Sequence, residues 1–325
     1  MRKTRTIALL LVFALLLGIF AACKDTLPGD RVTPDEKVRL AVLKGPTGLG
    51  SLQLMEDTER YDVTICAAPA EVTGMLTAGT IDVAALPLNV AATLYNKGGG
   101  DIVLLNVYAL GVLYIVERGD TINSIADLKG KTIHAPAKGS TTEMVLNFLL
   151  AANDLDPEED LTIEWVADPA ALNALVLTGD ADIALLPEPN VTVVTSRDED
   201  LRIAVDLNVA WEEASGGNRL AMGGLVARRE FLNTNSEIVD AVIEDFTSSV
   251  HFANGNRAQA GVLAERHGII ADAALAENSI LRSNLVSIVG EDMKKLTQDF
   301  LTVLFEADPV FVGGKMPGKD FYYGG

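Results

Sequence analysis

The sequence contains little cysteine: only Cys23 and Cys66 occur among 325 residues. A framework of several disulfide bonds is therefore excluded, and if Cys23 carries a lipid no intramolecular disulfide can form. Cys66 ends the apolar segment DVTIC, where an unpaired cysteine usually behaves as a small buried hydrophobic residue. We therefore expect no reactive role for Cys66.

Basic residues are also scarce, with 26 lysines and arginines against 45 acidic residues and a formal net charge of −19. Such a chain is not expected to present a broad positive surface, so nucleic acid is excluded as a partner. The three histidines have no paired spacing with cysteines or carboxylates, and no Ser-His-acid motif is recognisable. The glycine-rich segment 96–101 lacks the Lys-Ser/Thr ending of a phosphate-binding loop. We therefore expect no metal, no cofactor and no catalytic residues.

Long apolar runs are limited to the start of the chain, where basic residues precede an apolar segment at 7–22. This arrangement is typical of a secretory signal, and the run is short for a membrane span. The following letters FAAC resemble a bacterial lipobox, although Phe20 stands where leucine is usual. The sequence thus predicts a signal peptide at 1–22, a lipid-anchored tether at 23–36, lipidation of Cys23, and an extracytoplasmic location at the cell membrane. An ordinary signal with an incidental cysteine is the alternative.

One phrase occurs twice, one hundred residues apart, at 67–87 and at 167–187. Each copy has apolar residues at helical spacing, then a glycine typical of a helix end, a short apolar strand and Leu-Pro. A fainter sequence match relates segment 37–50 to segment 131–144: each has a strand-like start followed by Lys-Gly. The gapless alignment of the two copies pairs identical residues at eight positions of the first: Ala67, Pro69, Ala70, Gly79, Asp82, Ala84, Leu86 and Pro87.

The duplicated pattern predicts two similar α/β lobes, each a mostly parallel sheet flanked by helices in a Rossmann-like manner. Ligands bind such sheets beyond the carboxyl ends of the strands, and two loops of each lobe leave from such ends. We therefore expect a ligand cleft between the lobes, lined by four matched loops.

The segment INSIADLKGKTIHAPAKGST (122–141), together with TAGTIDVAALP (77–87), resembles the type II periplasmic or solute-binding proteins of ABC importers. The resemblance covers the chain from about Lys37 onward and is strongest to the nitrate, sulfonate and thiamine-precursor branch. It implies two crossover strands, near 110–119 and 220–231. Lobe 1 is then 37–114 plus 225–325, and lobe 2 is 115–224. It also implies a monomer that delivers a small-molecule ligand to an ABC permease and its ATPase.

The loops contain polar and glycine residues suited to a polar or anionic ligand, because free N–H groups at helix starts attract such groups. Glycines permit close backbone approach, hydroxyls supply hydrogen bonds, and two lysines add charge if they point inward. Glu188 favours a ligand with an amine, amide or heterocycle. The expected ligand-binding residues are Lys44, Gly45, Thr47, Gly48, Asn89, Lys138, Gly139, Ser140, Thr141, Thr142, Glu188 and Asn190. The alternative is that the hydroxyls only cap helices and the lysines face water.

Two further aromatic side chains lie near the expected cleft. His134 is on a predicted cleft strand, and Trp211 is in a segment that reads as a loop before the second crossover. Either residue contacts the ligand or only packs. The leading function is a non-enzymatic, lipid-anchored solute receptor. The alternative is an enzyme on the same two-lobe fold, of the kind found in menaquinone or thiamine-pyrimidine synthesis.

Overall fold

The computed structural model describes residues 36–324. The predicted signal peptide and Cys23 lie outside the described residues. None of the helices within 36–324 is long and apolar enough to cross a membrane. Eleven strands occur in this part of the chain: β1 Val38–Leu43, β2 Tyr61–Cys66, β3 Val83–Pro87, β4 Ile102–Leu110, β5 Leu113–Arg118, β6 Thr132–Pro136, β7 Thr162–Val166, β8 Ile183–Pro187, β9 Leu201–Asp206, β10 Ala221–Arg228 and β11 Leu285–Ile288.

Helices connect most of these strands. In chain order they are α1 Pro46–Gly50, α2 Leu52–Glu56, α3 Pro69–Ala78, α4 Leu88–Lys97, α5 Thr141–Ala152, α6 Pro169–Thr178, α7 Asn190–Thr195, α8 Leu207–Ala214, α9 Arg229–Thr234, α10 Ser236–Gly255, α11 Arg257–Arg266, α12 Ala273–Ile280 and α13 Gly290–Ala307. Short 3₁₀ turns occupy Ile125–Leu128, Pro309–Val312 and Lys319–Phe321.

The strands form two sheets with the same plan. The sheet of lobe 1 has the order β11-β4-β10-β3-β1-β2, and the sheet of lobe 2 has the order β7-β6-β8-β5-β9. Strands β1, β2 and β3 are parallel, as are β6, β7 and β8. Strand β10 runs antiparallel beside β3, and β5 runs antiparallel beside β8. The predicted two-lobe α/β fold is confirmed, with one antiparallel strand inserted at the same place in each sheet.

The repeated phrase forms the same unit in both lobes. Helix α3 ends at Gly79 and helix α6 ends at Gly179, and both glycines adopt left-handed backbone angles, with φ of 70° and 80°. This conformation is easy only for glycine, and it turns the chain directly into the next strand. The N–H of Arg228 donates to the Asp82 carbonyl at 2.9 Å, and the N–H of Arg118 donates to the Asp182 carbonyl at 2.8 Å. The structural correspondence between the lobes therefore includes the antiparallel strands β10 and β5, which lie outside the repeated sequence.

The chain passes between the lobes twice, and the two crossings are neighbours. The first is the short step from β4 to β5, and the second runs from β9 through α8 to β10. The N–H of Gly111 in the first crossing donates to Oδ1 of Asn208 in the second at 3.3 Å. Both lie within or next to the predicted segments 110–119 and 220–231. The boundaries assigned to the lobes from the sequence stay a prediction.

The part of the chain after β10 packs on the sheet of lobe 1. Helices α10 and α13 contact lobe 1 strands, and the short strand β11, which the sequence pattern did not indicate, pairs with β4. The aromatic tail also packs here, with the Phe321 ring centroid 5.0 Å from that of Tyr95. Cys66 is buried and unpaired, with its thiol 3.8 Å from the Met75 sulfur. Burial raises the pKa of this thiol, which keeps it in the unreactive protonated form.

Candidate functional site

Four loops leave the carboxyl ends of parallel strands where the two lobes face each other. They follow β1 and β3 in lobe 1, and β6 and β8 in lobe 2. Two contacts join them across the lobes. A Cβ atom added at Gly45 would lie 3.4 Å from Cδ of Pro189, and the Thr141 hydroxyl donates to Oδ1 of Asn89 at 2.9 Å. The loop after β1 therefore contacts the loop after β8, and the loop after β6 contacts the loop after β3.

The β1 loop is tightly packed. Gly45 is buried and has φ 80° and ψ −143°, a conformation that is nearly restricted to glycine. Thr47 is also buried, and its hydroxyl accepts a hydrogen bond from the Tyr108 hydroxyl at 3.3 Å. A Cβ atom at Gly48 would come within 2.5 Å of the Ile269 side chain. Gly48 is thus explained by packing inside lobe 1, whereas Gly45 approaches the opposite lobe.

The β6 loop begins helix α5. Ser140 is its N-cap, and the Ser140 side chain accepts from the N–H of Thr142 at 3.2 Å. The N–H of Gly139 donates to a carboxylate oxygen of Glu143 at 2.5 Å. Ser140 therefore has the helix-capping function that the sequence left open, while the half-buried Thr141 hydroxyl reaches the other lobe.

The β8 loop contains the two other polar residues predicted for the site. The side chain of Glu188 is fully buried, and Arg282 Nε lies 2.6 Å from its Oε1 atom. Burial raises the pKa of the Glu188 carboxyl above its usual range, although Arg282 and Thr192 act in the opposite direction. Asn190 is half-buried, and its Oδ1 atom accepts from Nδ2 of Asn173 at 2.7 Å. In this arrangement Glu188 is paired with the protein itself.

The lysines of the matched Lys-Gly pairs are exposed. Lys44 and Lys138 lie in the β1 and β6 loops, and the structure gives neither of them a hydrogen bond or ion pair within residues 36–324. Each lysine therefore carries a solvent-exposed positive charge on one of the four loops. Their contact with a ligand stays a prediction.

The two aromatic candidates have structural partners. The Nε2 atom of His134 is 3.1 Å from the carboxylate of Glu164 on the adjacent strand β7. The segment around Trp211 is helix α8, so its interpretation as a loop was wrong: apolar residues on one face of this helix bury against both lobes. The Trp211 ring is fully buried, with ring centroids 4.4 Å from Phe148 and 5.7 Å from Phe300.

Sequence reasoning missed two residues of this region, Arg282 and Asn173. Arg282 lies just after helix α12 in a segment with a helical pattern, and its partner Glu188 is 94 positions away. Asn173 lies on the first turns of α6, inside the repeated phrase, opposite a threonine in the other copy. Only the mismatch between the two copies could have drawn attention to Asn173. No group of three or more His, Cys, Asp or Glu side chains within 36–324 could hold a metal ion.

Comparison with known families gives one match, over residues 53–273. The matching model describes the ABC transporter, phosphonate, periplasmic substrate-binding protein family. No curated protein sequence matches the chain.

Solved structures share the fold along nearly the whole described chain. An ABC transporter protein from Parabacteroides distasonis has a TM-score of 0.77 at 24% identity, covering 89% of this chain and 99% of that one. The periplasmic aliphatic sulphonate binding protein from Escherichia coli has a TM-score of 0.68 at 19% identity, with coverages of 88% and 93%. The periplasmic nitrate-binding protein from Synechocystis has a TM-score of 0.60 at 14% identity, with coverages of 85% and 83%. At these identities the likeness establishes the fold.

Proposed function

The chain belongs to the family of ABC-transporter periplasmic substrate-binding proteins, and from this premise we propose that it captures a small, polar organic anion between its lobes for import. The family consists of extracytoplasmic binding components of import systems. The finer proposal concerns the cleft, the chemical class of the ligand, and the delivery of that ligand to a permease and its ATPase.

The observation that carries the proposal is the direct meeting of the four strand-end loops across the lobes. Gly45 packs against Pro189, and Thr141 donates to Asn89. Loops that meet in this way can enclose a ligand held between them, and a hinge at two neighbouring crossings permits them to separate. We propose that the cleft opens by such a motion to admit its ligand and then closes over it.

The polar groups of the loops that remain available to a ligand are mainly hydrogen-bond donors, and they favour a ligand rich in acceptors. The side-chain oxygen of Asn89 already accepts from Thr141, and that of Asn190 accepts from Asn173. Each amide therefore retains N–H groups as its remaining hydrogen-bonding function. The exposed Lys44 and Lys138 add positive charge nearby. A carboxylate, sulfonate or phosphonate group matches this set of donors, and the sulphonate and nitrate ligands in the names of the structural neighbours are also oxyanions.

Pairing of Glu188 changes the expected ligand in one respect. The sequence suggested that Glu188 accepts hydrogen bonds from an amine or heterocycle of the ligand. Arg282 and Thr192 occupy its carboxylate in this structure. We therefore propose that the cationic or heterocyclic part of a ligand is dispensable and that the acidic group is the recognised feature.

We further propose that the mature protein is a monomer anchored through a lipid on Cys23. The apolar run and the letters AAC before the tether support this anchor. A lipid on the first mature residue would keep the receptor beside its permease.

A thermal-shift screen tests the proposed ligand class. The protein is unfolded, washed free of small molecules, refolded, and heated with methylphosphonate, methanesulfonate, taurine, nitrate or short carboxylates. A ligand at a hundred times its Kd should stabilise the fold by about 2.7 kcal/mol. For a chain of this size that corresponds to roughly 5–10 °C in Tm.

Variants in the loops locate the binding. Asn89→Ala and Asn190→Ala should each weaken binding by roughly 10- to 150-fold, since each removes hydrogen bonds to a charged group worth roughly 1.5–3 kcal/mol. Thr178→Ala is the matched control, because this exposed residue lies at the far end of α6. Recovery of the ligand unchanged separates a receptor from an enzyme. Tight binding of cations alone, or loop variants with unchanged affinity, would contradict the proposed ligand class.

A further inference from the structure

Glu188 and Arg282 belong to different lobes. Glu188 follows strand β8 of lobe 2, and its N–H donates to the Val112 carbonyl at 2.9 Å. Arg282 lies between α12 and β11 of lobe 1, two residues before Asn284, whose carbonyl accepts from the N–H of Leu110 at 3.1 Å. The two backbones are thus fixed on opposite sides of the first crossing, and the two side chains bridge them.

The side chains form a closed set of hydrogen bonds. Arg282 Nε donates to Glu188 Oε1 at 2.6 Å, and Arg282 Nη2 donates to the Thr192 hydroxyl at 2.5 Å. The Thr192 hydroxyl donates to Glu188 Oε1 at 3.0 Å. The Tyr114 hydroxyl of lobe 2 donates to the Arg282 carbonyl at 2.9 Å and holds the arginine backbone in place. Arg282 of lobe 1 is therefore hydrogen-bonded to three residues of lobe 2.

These contacts depend on how the lobes are arranged. Charge-assisted hydrogen bonds weaken steeply beyond about 3.2 Å, so a rotation at the crossings that moves Arg282 by about 1 Å from Glu188 breaks the set. The Glu188 side chain is fully buried and that of Arg282 is 30% exposed. A buried carboxylate without a partner is costly, so separating the lobes also requires Glu188 to gain water or a proton.

We propose that Glu188, Arg282 and Thr192 form an interlobe clamp that holds the lobes of the ligand-free protein in the closed arrangement. This inference rests on the proposed receptor function, because it concerns the motion by which the receptor would admit its ligand. The hydrogen bonds of the clamp thus supply part of the free energy that stabilises the closed arrangement. Binding then needs less free energy from the ligand, since the affinity of a ligand scales with the fraction of the protein in the binding-competent state.

Spin labels on the two lobes measure the arrangement directly. Ala70 and Ala170 are exposed, repeat-related residues near the starts of α3 and α6, one in each lobe. Ala70→Cys and Ala170→Cys are introduced into the full chain with Cys23→Ser, since Cys66 is buried. The protein is refolded free of small molecules, and the distance distribution is measured by pulsed electron paramagnetic resonance.

The clamp predicts one dominant short distance in the parent protein without any ligand. Arg282→Met and Glu188→Gln should lower the closed-to-open ratio at least about 10-fold, with a new population at longer distance, because each leaves a partner of the pair uncompensated. Thr192→Val, which removes a hydroxyl but no charge, should give a smaller shift in the same direction. Asp198→Asn is the control, since it breaks an ion pair with Arg118 inside lobe 2 and should leave the distance unchanged.

Two results would overturn the proposal. One is a parent protein that is already open without ligand. The other is a set of clamp variants that fold normally and keep the parent distance distribution. Neither measurement uses a ligand, so failure of the clamp is separable from failure of the thermal-shift screen, which tests the receptor function itself. If Arg282→Met does not fold, Thr192→Val and Glu188→Gln still decide the outcome.

Discussion

Asp82 and Asp182 occupy the same position of the duplicated unit but differ in environment, which gives a matched pair of substitutions. The Asp82 side chain is 6% exposed, and it accepts hydrogen bonds from Arg39 Nε at 2.9 Å and Arg228 Nη2 at 3.2 Å. The Asp182 side chain is 67% exposed, and its nearest guanidinium nitrogen, Nε of Arg118, is 3.7 Å away. The same replacement by asparagine should therefore have unequal effects.

The magnitude follows from burial and from the partners left behind. Asp82→Asn keeps the shape of the side chain, and Arg228, whose side chain is 18% exposed, then retains only Glu230 as an ionic partner, at 2.9 Å and with an 83% exposed side chain. Removing one partner of a buried pair costs about 3–5 kcal/mol, and Arg39 is more exposed, so we expect the lower end, about 3 kcal/mol. Asp182→Asn should cost about 0–1 kcal/mol, because Arg118 retains Asp198 at 2.7 Å.

Thermal unfolding measures the difference between the two variants. At about 2–4 °C per kcal/mol, Asp82→Asn should lower Tm by roughly 6–12 °C and Asp182→Asn by less than about 4 °C. Equal shifts for the two variants would refute the argument that burial makes the repeat-related aspartates different.

The pKa of the Asp82 carboxyl also predicts how the stability of the protein changes at low pH. Burial alone would raise the pKa of Asp82, but the hydrogen bonds from Arg39 and Arg228 outweigh it and hold the pKa below its usual range. A carboxyl with a lowered folded-state pKa stabilises the fold above its unfolded-state pKa and loses that contribution as pH falls through the folded value. The Tm of the wild type should therefore fall more steeply below about pH 4 than that of Asp82→Asn. Parallel acid profiles would contradict this assignment.

Three further predictions concern the ligand charge, the anchor and the junction of the lobes. Lys44→Met and Lys138→Met, made singly, should each weaken binding of an anion and flatten its salt dependence in titration calorimetry, whereas Lys97→Met at the far end of α4 should not, although all three variants lose one positive charge. Cys23→Ala should release the protein from the membrane fraction of its host or stall its processing; a soluble, unlipidated wild type would be contrary evidence. Trp211→Ala should cost about 3–5 kcal/mol in denaturant unfolding because the ring is fully buried, and a loss below about 1 kcal/mol would argue against that packing.

The duplicated phrase made most of the fold predictable. Glycine at 79 and 179, followed by a short apolar run and Leu-Pro, specifies a helix end, a buried strand and a loop by local chemistry alone. Matching loops then had to lie at the same edge of two similar sheets. These are local or periodic properties, and a single sequence contains them.

The partners within the site were less predictable because they depend on long-range packing. The sequence placed Glu188 in a loop facing the cleft, but nothing in it indicated that Arg282, 94 positions later, would occupy its carboxylate. Trp211 lies in a polar-looking stretch, NVAWEEASGGNR, whose few apolar residues form one face of a short helix. In both cases the partner, Arg282 for Glu188 and the rings that bury Trp211, comes from a distant part of the chain that no sequence pattern links to the residue.

Native mass spectrometry of the protein purified from its host most directly tests the claim that the cleft between the lobes holds a small solute. We expect one non-covalent adduct of an acidic small molecule per chain, reduced at least about 10-fold in the Asn89→Ala, Asn190→Ala double variant, with the released molecule chemically unchanged. An adduct equally abundant in the double variant, or a released molecule altered by the protein, would contradict it.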